Sequence, residues 1–581
     1  MSKKGNLIQF VLSLAILVVI GLLSSFAFTK FDLTEEKRHT LTPSTIELLG
    51  GLEDQVFIKC YLHGEFPAKF KRLEQAIKEK LDEFVDYSEG KVSYIFIDPY
   101  ANPDAKTQNE IEVALYEQGL EFTRLSYDEN GTKNFTNIWP CAIVTYKNKD
   151  YPVQLFNSNN PDPSDEMVNG SINNIEYELG SKLRYLAEDD RPRIAILEGH
   201  GELEELEFID FTYALQEQYF VERVKIDGIV HALSDKLDGM KYRSNKYELL
   251  VVAKPDRVFD NRDKLVIDQF IMNGGKVLWM IDPILTDLDS LRTQQQTFAT
   301  TNEMGLYDML FDYGIRLNRD MVIDYQCTPI ALDAGPRGNQ RNYDLFNWYY
   351  APVVLPPDSS HPVTANLDPI ALEFASSLEF VGERDSLIQT VLLQSSPLSK
   401  ELKAPVRVNS AIVNFGLDYF QHNPTPNQIM GALLEGTFES NFNFRLPDTL
   451  LKDPNFAFRP HSRQTKMIVI ADGDIGRNKV VNGSEGPMPV PLGFDKYAGR
   501  VIYDNKEFLL NCVNYLMDDD ALISMRSRSI VLRKLDEQKC IEEKTKWQTT
   551  NMLSPLLIVA LFGLGQWWFR KRKYASKAVA A

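Results

Sequence analysis

The stretch Arg191-Pro192-Arg193-Ile194-Ala195-Ile196-Leu197-Glu198-Gly199-His200-Gly201-Glu202 opens the region whose reading decides the fold. The apolar run 194–197 stops at a turn carrying Gly199 and Gly201, and a helical pattern follows over 204–219. A second apolar run, 248–253, stops at Lys254-Pro255, and a second helical pattern, 262–272, ends at Gly274-Gly275. A third run, 276–281, stops at Asp282-Pro283. Strands alternating with helices of this length predict a parallel sheet with helices on its faces. In such sheets ligands collect beyond the carboxyl ends of the strands. Here that crest carries Gly199-His200-Gly201-Glu202, Lys254-Pro255 and Asp282-Pro283.

Working toward the N-terminus, Glu188-Asp189-Asp190-Arg191-Pro192 marks a charged domain boundary. Before it, Thr42 and Pro43 suit the N-cap and first position of a short helix. The pattern then predicts a strand over 55–62, an amphipathic helix over 66–87 and a strand over 92–97. A helix over 109–117 closed by Gly119, a hairpin about Asn148 and a long helix over 165–186 complete it. Phe70, Leu73, Ile77, Leu81, Phe84 and Val85 share one face of the first long helix. The order β-α-β-α-β-β-α over 31–187 is that of a thioredoxin-like domain, with Pro140 where that fold often carries a cis-proline. The first strand runs into Leu62-His63-Gly64-Glu65-Phe66-Pro67 without a C-x-x-C pair, so thiol redox chemistry is not supported.

Working toward the C-terminus, 293–301 is polar and reads as a loop, 305–313 as a helix and 321–324 as a short strand. From 327 to 369, rich in Pro, Gly, Asn and aromatics, the chain reads as an irregular insertion. Strands follow over 375–380, 388–393, 406–413, 431–440 and 463–471, the last ending in Asp472-Gly473-Asp474. A helix over 507–517 ends the domain. The expected organisation is one α/β domain over 191–525 with a β-rich insertion at about 325–460, then a helical stalk over 526–551.

Two segments set the class. Residues 7–28 carry no charge and are long enough to cross a bilayer core of about 30 Å. Residues 552–569 are uncharged too and end in Trp567-Trp568-Phe569, followed by Arg570-Lys571-Arg572-Lys573. Positive charge concentrated after the second span puts the C-terminus in the cytoplasm, and two spans put both termini there. The large middle then faces outward. The net charge of −18 argues against a nucleic-acid binder. Cys60, Cys141, Cys327, Cys512 and Cys540 are scattered, which excludes a disulfide scaffold and the usual zinc spacings, although Cys60 and Cys141 could meet in space. No phosphate-binding loop of the G-x-x-x-x-G-K-[ST] type occurs, so nucleotide hydrolysis is not expected.

Three groups of residues carry chemical potential. His200 and Glu202 on a crest could hold a ligand or pass a proton. The bland reading is that Gly199 and Gly201 shape the backbone, Glu202 serves the helix N-terminus and His200 bonds locally. Asp282 stands where amidotransferase-like sheets place a nucleophilic cysteine. A carboxylate cannot perform thioester chemistry, and no second histidine completes a triad, so the domain reads as flavodoxin-like or amidotransferase-like and catalytically silent. Asp472 and Asp474 could bind a divalent cation with Glu202 or Asp282, or simply stabilise a turn. No catalytic residue, metal or cofactor is assigned.

Several stretches together resemble the gliding-motility-associated ABC transporter auxiliary, or substrate-binding, proteins (GldG-like). They are the N-terminal anchor, Glu36-Lys37-Arg38-His39-Thr40-Leu41-Thr42, Gly90-Lys91-Val92 leading to Ile97-Asp98-Pro99, and Gly199-His200-Gly201-Glu202. Gly274-Gly275-Lys276 leading to Ile281-Asp282-Pro283, Asp472-Gly473-Asp474, Leu510-Asn511-Cys512-Val513-Asn514-Tyr515-Leu516, Ile523-Ser524-Met525-Arg526 and the C-terminal span complete the set. The resemblance implies a bacterial inner-membrane protein of the Bacteroidetes type with a large periplasmic part. It would accompany a separate ATPase and a separate permease and bind a periplasmic ligand or partner. Two other readings stay open: an anchored hydrolase or metal-dependent enzyme built on the 199–202 crest, and a structural spacer in the envelope.

Overall fold

The computed structural model describes residues 40–517, except 103, 130–131, 157–161, 188–190, 238, 287–295, 338–339, 357–360, 366, 383–385 and 484–485, and residues 543–575. The expected span 7–28 and most of the expected stalk lie outside the described residues.

Helix α1 (Pro43–Gly50) begins where Thr42 caps it, the hydroxyl accepting from the Thr45 amide. There follow β1 (Val56–Cys60), α2 (Ala68–Tyr87), β2 (Val92–Phe96), α3 (Ala105–Glu117), β3 (Thr123–Glu129), β4 (Thr132–Ile138), β5 (Cys141–Tyr146), β6 (Lys149–Gln154) and α4 (Asp165–Ala187). Strands β2-β1-β5-β6 form one sheet, with β1 parallel to β2 and antiparallel to β5. Lys147 and Asn148, both at positive φ, close the β5–β6 hairpin. Phe70, Leu73, Ile77, Leu81 and Phe84 bury one face of α2 against this sheet and α4.

Three expectations change here. The hairpin β3–β4 was not anticipated, because its polar residues, such as Arg124, Ser126, Lys133 and Asn137, hide the strand signal. Cys60 and Cys141 do not meet. Cys60 pairs across the ladder with Ala142 and shares that residue's core, whereas Cys141 packs with Leu115, Leu120 and Trp139 on the opposite face. Among the described residues the cis peptide bond precedes Pro405, not Pro140.

The larger sheet is built on β7 (Arg193–Glu198), β8 (Phe220–Lys225), β9 (Leu249–Ala253) and β10 (Lys276–Met280). β11 (Ile315–Leu317), β12 (Leu378–Phe380), β13 (Leu387–Gln394), β14 (Ile429–Gly436) and β15 (Thr465–Ile470) complete it. Its order is β11-β12-β14-β15-β10-β9-β7-β8, with β13 also on β14. The run β8-β7-β9-β10-β15 is parallel, and β14 joins β15 antiparallel. Alternation buries both faces: Ile194, Ile196, Leu249 and Val251 enter one core, and Ala195, Leu197, Leu250 and Val252 the other. Helices α5 (Ile209–Gln216) and α8 (Asn505–Met517) cover the first face. Helices α6 (Asn261–Met272) and α7 (Tyr307–Tyr313) cover the second.

The helix expected over 204–219 is a 3-10 turn (Leu206–Phe208) followed by the short α5, and the chain then enters the unforeseen edge strand β8. The loop expected over 293–301 contains a strand, Gln296–Thr301, paired with Val406–Asn409. The supposedly irregular 327–369 contains a long antiparallel hairpin, Cys327–Arg337 with Gln340–Val354. Its register shifts fall beside Pro329 and Gly335, the residues that made it read as coil.

The C-terminal unit is described by itself. Helix α9 (Lys544–Ala575) contains Lys544–Phe569, which is long and apolar enough to cross a membrane.

Candidate functional site

The parallel strands deliver two separate clusters of charged residues to their carboxyl ends. The first follows β7. Gly199 and Gly201 take φ values of +123° and +79°, and a β-carbon on Gly201 would lie 1.5 Å from the Asp256 carboxylate. Only glycine allows this turn to fold so closely onto the segment after β9. The turn buries His200, whose ring stacks on Phe259 at 3.8 Å between centroids. Nε2 lies 3.0 Å from Asp263 Oδ2 in the first turn of α6. Nδ1 lies 3.3 Å from Glu202 Oε1, within ionic range but out of line for a hydrogen bond. The other Glu202 oxygen accepts from the His200 backbone amide at 2.7 Å. Burial opposes the imidazolium, but Glu202 and Asp263 outweigh it, and the His200 pKa is raised.

The second cluster joins β9, β10 and β15. Lys254, at φ +54°, follows β9. Its ammonium lies 2.8 Å from Asp282 Oδ2 after β10 and also contacts Asp474 Oδ2 after β15. Asp282 in turn accepts from the Gly473 amide. Asp472 is fully buried and accepts from the amides of Glu373 and Asp474, each at 2.7 Å. Oxygens of Asp282, Asp472 and Asp474 lie within 4.8 Å of one another. Gly473 is needed for this closeness, since a β-carbon there would approach Lys254 Cγ to 2.7 Å. Arg477 extends the network, bonding Asp474 at 3.3 Å and Glu207 at 2.6 Å. Burial pushes the carboxyls of Asp282 and Asp472 up, and the Lys254 ammonium counteracts it at both. Lys254 is itself pushed up, because its two carboxylate partners outweigh its own burial.

Of the residues singled out in the sequence, Asp282, Asp472 and Asp474 are brought together. Glu202 is not with them and is committed to His200. The sequence placed Lys254 at the crest but gave no sign that its ammonium would sit among the aspartates. Asp263 and Phe259 were missed as partners of His200. Asp260 caps α6 by accepting from the amides of Arg262 and Asp263, and that capping pattern is the one signal placing Asp263 at a helix start.

Residues 191–512, more than half of the chain, match the family described as an ABC-type uncharacterized transport system. The chain belongs to this family. It is thus an auxiliary component of an ABC-type transport system, and the apolar helix Lys544–Phe569 agrees with membrane association. Residues 35–145 match a domain of unknown function (DUF7088). No curated protein matches. Among solved structures, the mmIFT52 N-terminal domain aligns at 12% identity with a TM-score of 0.30, covering 56% of this chain and 98% of that one. A likeness that low carries no argument about fold.

Proposed function

We propose that the protein is a non-enzymatic, membrane-anchored auxiliary subunit of an ABC transporter that serves bacterial gliding motility. The observation that carries this reading is the ammonium of Lys254 among Asp282 and Asp474. The crest position at which an amidotransferase-like sheet needs a nucleophile is held by a carboxylate already neutralised from within. The gap a metal ion would fill is occupied by a lysine side chain, so the alternative of a metal-dependent hydrolase has less support. His200 is likewise buried and held by ionic contacts to Glu202 and Asp263, with Nε2 bonded to Asp263, which supports a structural role over acid–base work.

The order β2-β1-β5-β6, with α2 and α4 on one face, supports a thioredoxin-like domain over 31–187. The parallel run β8-β7-β9-β10-β15 supports a flavodoxin-like or amidotransferase-like domain over 191–525. Spans at 7–28 and 552–569 would hold both termini in the cytoplasm and the body in the periplasm. A separate permease and a separate ATPase are the partners, and the resemblance to GldG-like proteins supplies the link to gliding. Affinity purification of the detergent-extracted full chain tests the proposal. Permease and ATPase subunits should co-purify stoichiometrically, and a chain that returns alone sinks it. Gliding assays of Lys254→Met and His200→Gln strains separate the enzyme reading, which requires loss of function with assembly intact.

A further inference from the structure

A sheet edge exposes unpaired peptide groups, and proteins guard such edges with charge, proline or cover. Two edges in this molecule are guarded. β6 carries Lys149, Asp150 and Pro152, and β8 carries Glu222, Arg223 and Lys225. β2 reads Val92-Ser93-Tyr94-Ile95-Phe96, without charge or proline. Among the described residues its ladder partner is β1 alone. The Val56 amide donates to the Lys91 carbonyl and the Ile97 amide to the Cys60 carbonyl, each at 2.8 Å. That phase directs the peptide groups of Ser93 and Ile95 at β1 and turns those of Tyr94 and Phe96 to the open side. The strand is apolar on its outer surface as well, with Ile95 47% exposed and Phe57, on the adjoining β1, 38% exposed.

We propose that β2 is a docking edge for a second copy of this chain, the two small sheets joining through antiparallel β2–β2 pairing. The self-match of the strand selects this occupant. A two-fold axis through Tyr94, normal to the sheet, keeps the α2–α4 layers of both copies on one side. It sets Tyr94 against its mate, Val92 against Phe96 and Ser93 against Ile95, so no charge faces a charge. The outward peptide groups of Tyr94 then form the hydrogen-bonded pair of the new ladder. On a chain of net charge −18, two copies repel over much of their surface, and an uncharged, self-complementary edge is where they can approach.

The test uses the full chain in detergent, followed by light scattering over a concentration series. Wild type is expected to dimerise. Tyr94→Pro should weaken the dimer at least tenfold while the β1–β2 ladder persists, because the Tyr94 amide makes no bond to β1. The lost hydroxyl bond to Asp82 and edge contact with Phe96 should lower the thermal melt, as in the reference variant Tyr94→Ala, which keeps the amide and should still dimerise. Independently of that variant's folding, Tyr94→Cys should form a disulfide-linked dimer on mild oxidation, whereas Lys149→Cys at the opposite edge should not. A wild type that stays monomeric throughout overturns the proposal, and so does a dimer in which the Tyr94→Cys variant fails to cross-link. Should Tyr94→Pro release a transport subunit while the chain itself is monomeric, the edge belongs to a partner's strand and the second copy is excluded.

Discussion

Gly201 sits at φ +79° with the Asp256 carboxylate where its β-carbon would be. Gly201→Ala is therefore expected to cost about 1–3 kcal/mol in backbone strain alone and to lower the melting temperature of the extracted protein by several degrees. At His200 the raised pKa sets a direction. Its stabilising contribution is complete below about pH 6.5 and is lost as pH rises through the elevated folded-state value. Denaturant titrations of wild type and His200→Gln should differ most near pH 6 and converge toward pH 9. Lys254→Met would leave the buried Asp282 without its cation, while the half-buried Asp474 keeps Arg477. A loss of about 3–5 kcal/mol is expected at pH 7. The burial-raised carboxyls of Asp282 and Asp472 take up protons more readily than ordinary carboxylates, so part of that loss should return on lowering the pH to 5. A variant equally unstable at both values would contradict the charge account.

At the scale of elements, α6 does more than cover a sheet face. Its Asp268 is fully buried and accepts from Ser440 Oγ at 2.7 Å, the Asn441 amide at 2.9 Å, Tyr313 OH at 2.9 Å and Gln269 Nε2 at 2.9 Å. One carboxylate thus pins the turn after β14 and the end of α7 to the same helix. Removing it leaves several buried donors unsatisfied, at about 1–3 kcal/mol each before relaxation. Asp268→Ala is expected to lose well over 3 kcal/mol, whereas Asp268→Asn, which keeps acceptor capacity on one oxygen, should lose less. The unfolding midpoint in urea orders the two.

For the whole molecule, the layer 41–187 meets the larger body through a polar bridge. Asn514 on α8 donates to Tyr177 OH on α4 at 3.0 Å and accepts from Tyr219 OH, just before β8, at 2.9 Å. Tyr151 OH reaches Glu217 at 3.3 Å nearby. Asn514→Ala should leave both sheets folded. Amide exchange should quicken in α4 and around Tyr219, while the strands β9 and β10 at the core of the larger sheet keep their protection. Unchanged exchange at α4 would mean that the contacts other than Asn514, Tyr151–Glu217 among them, hold the two bodies.

The sequence by itself determined the elements whose signal is local. These include the strands β7, β9 and β10 with the helix α6, the face of α2 repeating through Phe70, Leu73, Ile77 and Leu81, the Thr42 cap and the apolar C-terminal helix. Each rests on a periodicity or a cap that neighbouring residues define. Strands guarded by polar residues, such as β3, β4 and β8, were not legible, because their partners rather than their composition stabilise them. The long hairpin Cys327–Arg337 with Gln340–Val354 was hidden by the Pro and Gly at its bulges. The sequence also supplied Asp282, Asp472 and Asp474 as crest candidates, but not their arrangement. Only the tertiary structure places β15 beside β10, across the intervening chain from Ile281 to Gln464. That long-range pairing brings Asp472 and Asp474 to Lys254, and the same packing turns His200 inward onto Phe259 and Asp263. Burial and pairing are properties of which strands become neighbours, and nothing within a window of sequence encodes that choice.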